Sequence, residues 1–269
     1  MRIGMIWFAM SLGLMGLWET PWAAEMVKAG DKVLIDCTCR LKNGEVAATT
    51  SGALARDPSV PKAPVFLPTQ EYRAVLVVAG DGGGLPQAPN LNRESFEGEI
   101  SRRLAPGLVG MAVGEKKTME LASEVPAGLK PDDRFLQMAR VRQRAKEIRM
   151  SRDQYRFRTG KDPEVGQDFV LDPAIPGKVA AVTDTEVVVR FAAQPGQRVK
   201  TPFGAGVIRE TEKNWEIVID AREGDLVRSG PLVGRIVDVD ERMIAIDYGH
   251  PFGGEKLTCD VTVDGVEGN

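Results

Sequence analysis

Beyond residue 26, apolar and polar positions alternate in short runs broken by Gly, Pro, Asn and Asp, and few stretches keep a helical period. Lys32-Val-Leu-Ile-Asp-Cys-Thr-Cys-Arg-Leu41 alternates as a strand does, which sets Cys37 and Cys39 on one face. It ends at Lys42-Asn-Gly44, whose Asn-Gly pair supplies the positive φ angles of a tight hairpin. From Ser51 to Asn92 a Pro- and Gly-rich stretch encloses one apolar run, Tyr72 to Ala79, and reads as a decorated loop with one extra strand. Within it, Gly80-Asp-Gly-Gly-Gly-Leu85 lacks the Lys-Ser/Thr ending and following helix of a phosphate cradle, so a plain loop is expected. Between Glu99 and Met111, Leu104 and Leu108 stand at helical spacing, and Pro106 limits that helix to a turn or two. Val113 to Leu121 is a turn leading into a charged, alternating strand.

Strand-turn-strand patterning resumes after Gly128. Gly177 to Phe191 and Gly234 to Tyr248 look alike: each is a Gly, an alternating strand, an acidic turn and a second strand ending in an aromatic. Gly204 to Arg209 and Asn214 to Asp220 make another strand pair between them, and the pattern suggests a duplicated hairpin.

Composition narrows the class. With 43% hydrophobic residues and a formal charge of -3, nothing points to nucleic acid. Arg2 followed by an apolar run from Ile3 to Trp18, with Ala23 and Ala24 beyond, reads as a signal peptide over residues 1–24. The run is shorter than the roughly 18 residues of a membrane span, so no stable membrane insertion is expected once the signal is removed; a retained anchor is the alternative. Three cysteines in an exported chain allow one disulfide and leave one thiol. Cys37, Cys39, a distant Cys259 and the single His250 are poor material for a four-ligand zinc site, so no metal and no cofactor are expected. The Arg- and Lys-rich stretch from Arg140 to Lys161 is read as a solvated face or linker.

Four segments, in order, resemble one family. Gly30 to Val46 is similar to the opening strand and Asn-Gly turn of FKBP domains, and Leu104 to Ala122 to their short helix, Val-Gly-Glu/Asp-Lys turn and next strand. Arg149 to Arg156 followed by Pro163 to Phe169 resembles the entry to the insert-in-flap domain of SlyD-type proteins. Asp247-Tyr-Gly-His-Pro-Phe-Gly-Gly-Glu-Lys-Leu-Thr-Cys-Asp-Val-Thr-Val263 resembles their return segment. The resemblance implies an α+β, mostly antiparallel fold in which a curled sheet surrounds a short helix. The FKBP-like domain would take residues 27–130 and 253–265, with the decorated loop at 51–92, and an enlarged β-rich insert-in-flap domain residues 131–252.

Together with the signal peptide, it implies an exported, periplasmic prolyl isomerase and folding chaperone whose clients are unfolded or proline-containing chains; a non-enzymatic chaperone or scaffold with a degenerate pocket is the alternative. Carried over, the pocket positions are Cys37, Ala47, Ala48, Ile100, Leu104, Ala127 and Cys259, with Glu99 also compatible, so most of the family's aromatic bowl is absent. Because the positions of Cys37 and Cys259 face one pocket in the family, the resemblance favours a Cys37–Cys259 disulfide; Cys39–Cys259 and three unpaired thiols remain open. Phe191, Phe203, Trp215 and Phe252 are candidates for an exposed client surface, with core burial as the plainer expectation. His250 is expected to be a turn residue.

Overall fold

The computed structural model describes residues 26–82, 94–122, 124–125 and 134–267. The expected signal at 1–24, pocket position Ala127 and the end of the Gly80–Leu85 loop lie outside the described residues.

Strand β1 (Lys32–Arg40) buries Val33, Ile35 and Cys39 and organises the first sheet. Along one edge it pairs with the last strand, β17 (Leu257–Glu267), through an antiparallel register that shifts between Leu34 and Ile35. It also pairs with β2 (Val46–Thr49) and with β3 (Val75–Val78), the extra strand expected of the decorated loop. β4 (Lys116–Leu121) joins the far side of β17, and the sheet curls as a half-barrel. Ser51 caps an unexpected short helix, α1 (Gly52–Arg56), in the same loop.

The sheet closes on helix α2 (Phe96–Leu108), capped by Ser95, whose side chain accepts from the Gly98 N–H. α2 is longer than the turn or two that Pro106 suggests. Phe96, Ile100, Leu104 and Leu108 follow one another at four-residue spacing and are all buried, so the apolar stripe runs the full helix. Pro106 is exposed on the opposite side near the C-terminal end and removes only its own hydrogen bond.

Between β4 and β17 lie three antiparallel meanders. The first is β8 (Asp168–Phe169), β9 (Gly177–Val182) and β10 (Glu186–Phe191); the second is β11 (Arg198–Thr201), β12 (Gly204–Glu210) and β13 (Asn214–Asp220). The third is β14 (Leu226–Ser229), β15 (Leu232–Val239) and β16 (Met243–Asp247). Each gains a fourth strand from the chain that precedes them all, in reverse order: β5 (Phe135–Ala139) pairs with β16, β6 (Val141–Ala145) with β13, and β7 (Glu147–Ser151) with β10. Helix α3 (Arg152–Thr159) follows β7, closed by a Ser151/Gln154 capping box and by Gly160 at φ +69°.

The unit is therefore present three times, where the sequence suggested a duplicated hairpin. Gly166, Gly196 and Gly224 each adopt positive φ and donate to Val179, Ile208 and Ile236 at 2.8 Å. The carbonyls of Lys146, Arg140 and Arg134, six residues apart along the supplying strands, accept from Phe191, Ile219 and Tyr248. At the head of each second strand a glycine lies beneath a side chain of the third: Gly177 under Phe191, Gly206 under Ile217, Gly234 under Ile246 and Tyr248. One apolar cluster joins the first and second meanders through Phe169, Val189, Phe191, Ile208, Trp215 and Ile217. Another joins the second to the third through Ile219, Val227, Ile236 and Ile246.

Candidate functional site

The first sheet presents a transverse row of four residues, Ala48, Cys39, Cys259 and Met119, on neighbouring strands. Cys39 and Cys259 stand directly opposite, with α-carbons 4.0 Å apart, and form the disulfide. The expectation of a Cys37–Cys259 bond is corrected by register: Val261 faces Cys37, and Cys259 faces Cys39. The alternation argument holds, since a two-residue step keeps a side chain on its face, but it cannot choose between two positions on that face. Cys37 is the free thiol; burial, with a smaller contribution from the Asp36 charge, pushes it up to about 12. It is therefore a thiol, not a thiolate, at neutral pH.

The positions carried over by resemblance converge in part. Ala47, Ile100, Leu104 and Cys259 are buried in one apolar cluster, and Cys37 and Ala48 pack against it half-buried. Ile100 and Leu104 lie one helical turn apart on the buried face of α2. The cluster holds two aromatics that the resemblance does not assign to it. Phe96 starts the apolar stripe of α2, and Phe252, from the return segment, meets it edge-to-face with centroids 5.8 Å apart. Phe252 is 1% exposed, with the Arg103 guanidinium 5.6 Å above its ring. The four-residue step from Phe96 to Ile100 was a usable signal for the first; nothing local signalled the second.

Val233 and Leu226 of the third meander also enter this cluster, and an ion pair holds that meander in place. Arg228, on β14, grips Glu97 on α2 with both terminal nitrogens at 2.7 and 2.9 Å and donates to the Val65 carbonyl. The Phe96 N–H donates to the Pro231 carbonyl in the same contact. The Glu99 carboxylate is engaged by Arg102 and Arg103; burial opposes its ionisation, yet hydrogen bonds from Arg102, Glu94 and Arg103 hold it below the usual range. It serves as an ion-pair partner, not a poised acid.

His250 lies in the turn before β17, where the Gly253 N–H donates to its carbonyl. Its Nε2 is 3.4 Å from Arg134, which itself binds Asp247 with two nitrogens, so cation and carboxylate are already matched. Of the client-surface candidates, Phe191, Trp215 and Phe252 are buried and Phe203 is half-buried against the third meander. Exposed apolar residues lie elsewhere, among them Phe157 at 93%, with Val165 and Val170, beside the first meander. The basic stretch is laced by ion pairs, among them Arg142–Asp172, Lys146–Glu210 and Arg156–Asp162. Among the described residues, no cluster of three His, Cys, Asp or Glu side chains is placed to hold a metal ion.

No family model matches the chain. Over 166 residues, 62% of this chain and 83% of the relative, it is 26% identical to a short-type peptidyl-prolyl cis-trans isomerase of Methanocaldococcus jannaschii. The chain is thus a distant homologue of a prolyl isomerase, and its antiparallel, helix-poor architecture with a curled half-barrel sheet is compatible with an FKBP-like fold.

Proposed function

We propose that this protein is an exported FKBP-type prolyl isomerase of the SlyD branch, with residues 131–252 as an enlarged insert-in-flap domain between two parts of an FKBP-like domain, 27–130 and 253–265. The observation that carries the reading is the apolar cluster against α2, where Ile100 and Leu104 pack beneath the strands of a curled sheet. The distant isomerase homologue supports the reaction class. The Cys39–Cys259 disulfide suits an oxidising compartment and so supports export.

The chemistry needs neither nucleophile nor cofactor. Rotation about an X-Pro bond breaks amide conjugation and passes through a less charge-separated twisted state. Uncatalysed, it takes tens of seconds or more. An apolar surface that strips water from the prolyl ring favours the twisted state; Ile100, Leu104 and Ala47 are buried here, so a prolyl ring would reach them only once Phe252 gives way.

A second reading is favoured by a particular feature: Phe252, Val233 and Leu226 enter the cluster that a prolyl ring would occupy. In that reading the protein holds unfolded or proline-containing clients without isomerising them. A protease-coupled prolyl-peptide assay on the signal-free, disulfide-intact protein separates the two. The isomerase reading expects a rate above the uncatalysed one, raised by Phe252→Ala and lowered by Leu104→Ala. A rate equal to the uncatalysed one, together with suppressed client aggregation, would leave the holding function alone.

A further inference from the structure

The β14–β15 hairpin covers the apolar cluster against α2 through both apolar and polar contacts. Leu226 and Val233 supply the apolar side. The Gly230-Pro231 turn, with Gly230 at φ +59°, brings the Pro231 carbonyl to the Phe96 N–H at the start of α2, 2.8 Å away. A helix has no acceptor of its own for that N–H, so the hairpin provides one. Arg228 stands behind this contact with its side chain only 8% exposed. It donates twice to the Glu97 carboxylate, once to the Val65 carbonyl and once to the Gly230 carbonyl, and its guanidinium lies 5.5 Å from the centre of the Phe96 ring. A guanidinium this deeply buried depends on its carboxylate. Without the partner it is a desolvated charge, and the hairpin must move outward to hydrate it.

Phe252 is tied to the same meander. Arg235 on β15 donates to the Gly253 carbonyl at 2.8 Å and pairs with Glu255. A Cβ at Gly253 would stand 2.5 Å from the Leu226 side chain and 3.2 Å from the Gly234 carbonyl oxygen, so the return segment lies directly on the hairpin. When the hairpin lifts, Phe252 goes with it.

We propose that the third meander, carrying Phe252, is an autoinhibitory lid over the α2 cluster, and that the Arg228–Glu97 ion pair is its latch. Closed, the lid keeps Ile100 and Leu104 from water; open, it uncovers them and hydrates Arg228. As control of a prolyl pocket the lid rests on the isomerase reading, whereas as a movable cover on an apolar surface it does not.

The test compares the full signal-free, disulfide-intact protein with Glu97→Gln, Arg228→Glu and the charge-swapped Glu97→Arg/Arg228→Glu. Hydrogen exchange at the Phe96 amide reads the lid directly, because the lid holds its acceptor; the Ile208 amide, bonded to the Gln197 carbonyl within the second meander, is the control. Both single variants should speed Phe96 exchange about tenfold or more while Ile208 exchanges as in the parent, and the swap should bring Phe96 back toward the parent rate. Binding of Nile red, a neutral apolar dye, should rise in the same two variants, and so should kcat/KM in the prolyl-peptide assay. Glu97→Gln alters only a half-exposed carboxylate and keeps the test decisive should Arg228→Glu fold poorly. Unchanged Phe96 exchange, equal acceleration at Ile208, or faster Phe96 exchange with no gain in dye binding would overturn the proposal. A measurable isomerase rate that does not rise as Phe96 exchange quickens would overturn it as well. Turnover absent from the parent and every variant, with exchange and dye binding both raised, would count against the isomerase reading and leave the lid standing.

Discussion

In the five-stranded sheet the central partners, β1 and β17, come from opposite ends of the described chain, whereas each meander is built from consecutive strands and borrows only its fourth from elsewhere. Both regions use the same alternating strands, but their stability has different sources. The meanders repeat a local design of glycine turn, small-residue strand head and covering side chain, so most of their pairings close short loops. The first sheet must bring β17 to β1 across the whole repeat region, and loop closure opposes that pairing most. The Cys39–Cys259 disulfide lies in that pairing, with a sequence separation of 220.

Breaking the disulfide is therefore the sharpest way to separate the two regions. In the chain-entropy model a loop of this length contributes about 5 kcal/mol. Cys39→Ala with Cys259→Ala should lower the protection of β1 and β17 amides by that order, while the transition followed through Trp215, the one Trp among the described residues and part of the second meander, moves less. Equal losses in both regions would show that the molecule unfolds as one unit. Cys37 supplies an internal control: with its thiol pushed up to about 12, alkylation at pH 8.5 in the folded state should run about a thousandfold or more below that of an ordinary cysteine.

The repeated glycines test the meanders by the same logic at smaller scale. An alanine Cβ at Gly234 would stand 2.8 Å from both Ile246 and Tyr248 side chains and 2.9 Å from the Asp247 carbonyl, so neither side chain can retreat alone. Gly234→Ala should cost about 2 to 3 kcal/mol by denaturant titration. At Gly206 the main obstacle is one methyl of Ile217 at 2.7 Å, and Gly206→Ala should cost about 1 kcal/mol. Similar costs at both positions would mean that the two meanders relax alike.

The contrast also explains which parts of the molecule the sequence revealed. Alternation placed β1, β9, β12 and β13 because one face of each is buried, and burial writes a period of two. It placed Cys37 and Cys39 on one face but not the register, which depends on the shift at Leu34/Ile35 and on a partner more than two hundred residues away. The third repeat was readable in the spacing of Gly166, Gly196 and Gly224. It was masked because the second copy follows a Pro-Phe turn and carries no aromatic at the end of its last strand. At the α2 cluster the resemblance supplied positions, of which Ile100 and Leu104 share the buried face of α2. Phe252 is there because the return segment turns at Gly253 and Gly254 before β17, a tertiary path with no local pattern.

The smallest expected effect concerns the end of the third meander. Asp247 is buried, which opposes its ionisation, but hydrogen bonds from Arg134 and the Gly249 N–H outweigh this and hold its carboxyl below the usual Asp range. A depressed folded-state value means that the carboxylate adds stability in full above the unfolded value of about 3.9 and that this is lost as pH falls through the lower folded value. Arg134 is about one-third exposed, so solvent screens the pair and its worth at pH 7 is about 1 kcal/mol. Asp247→Asn should cost that much near neutrality and progressively less below pH 4, and urea midpoints of variant and parent should converge as the pH approaches 2. A penalty that stays constant across this window would locate the contribution in packing around Gly249, where a Cβ would strike the Arg134 side chain, and not in the charge of Asp247.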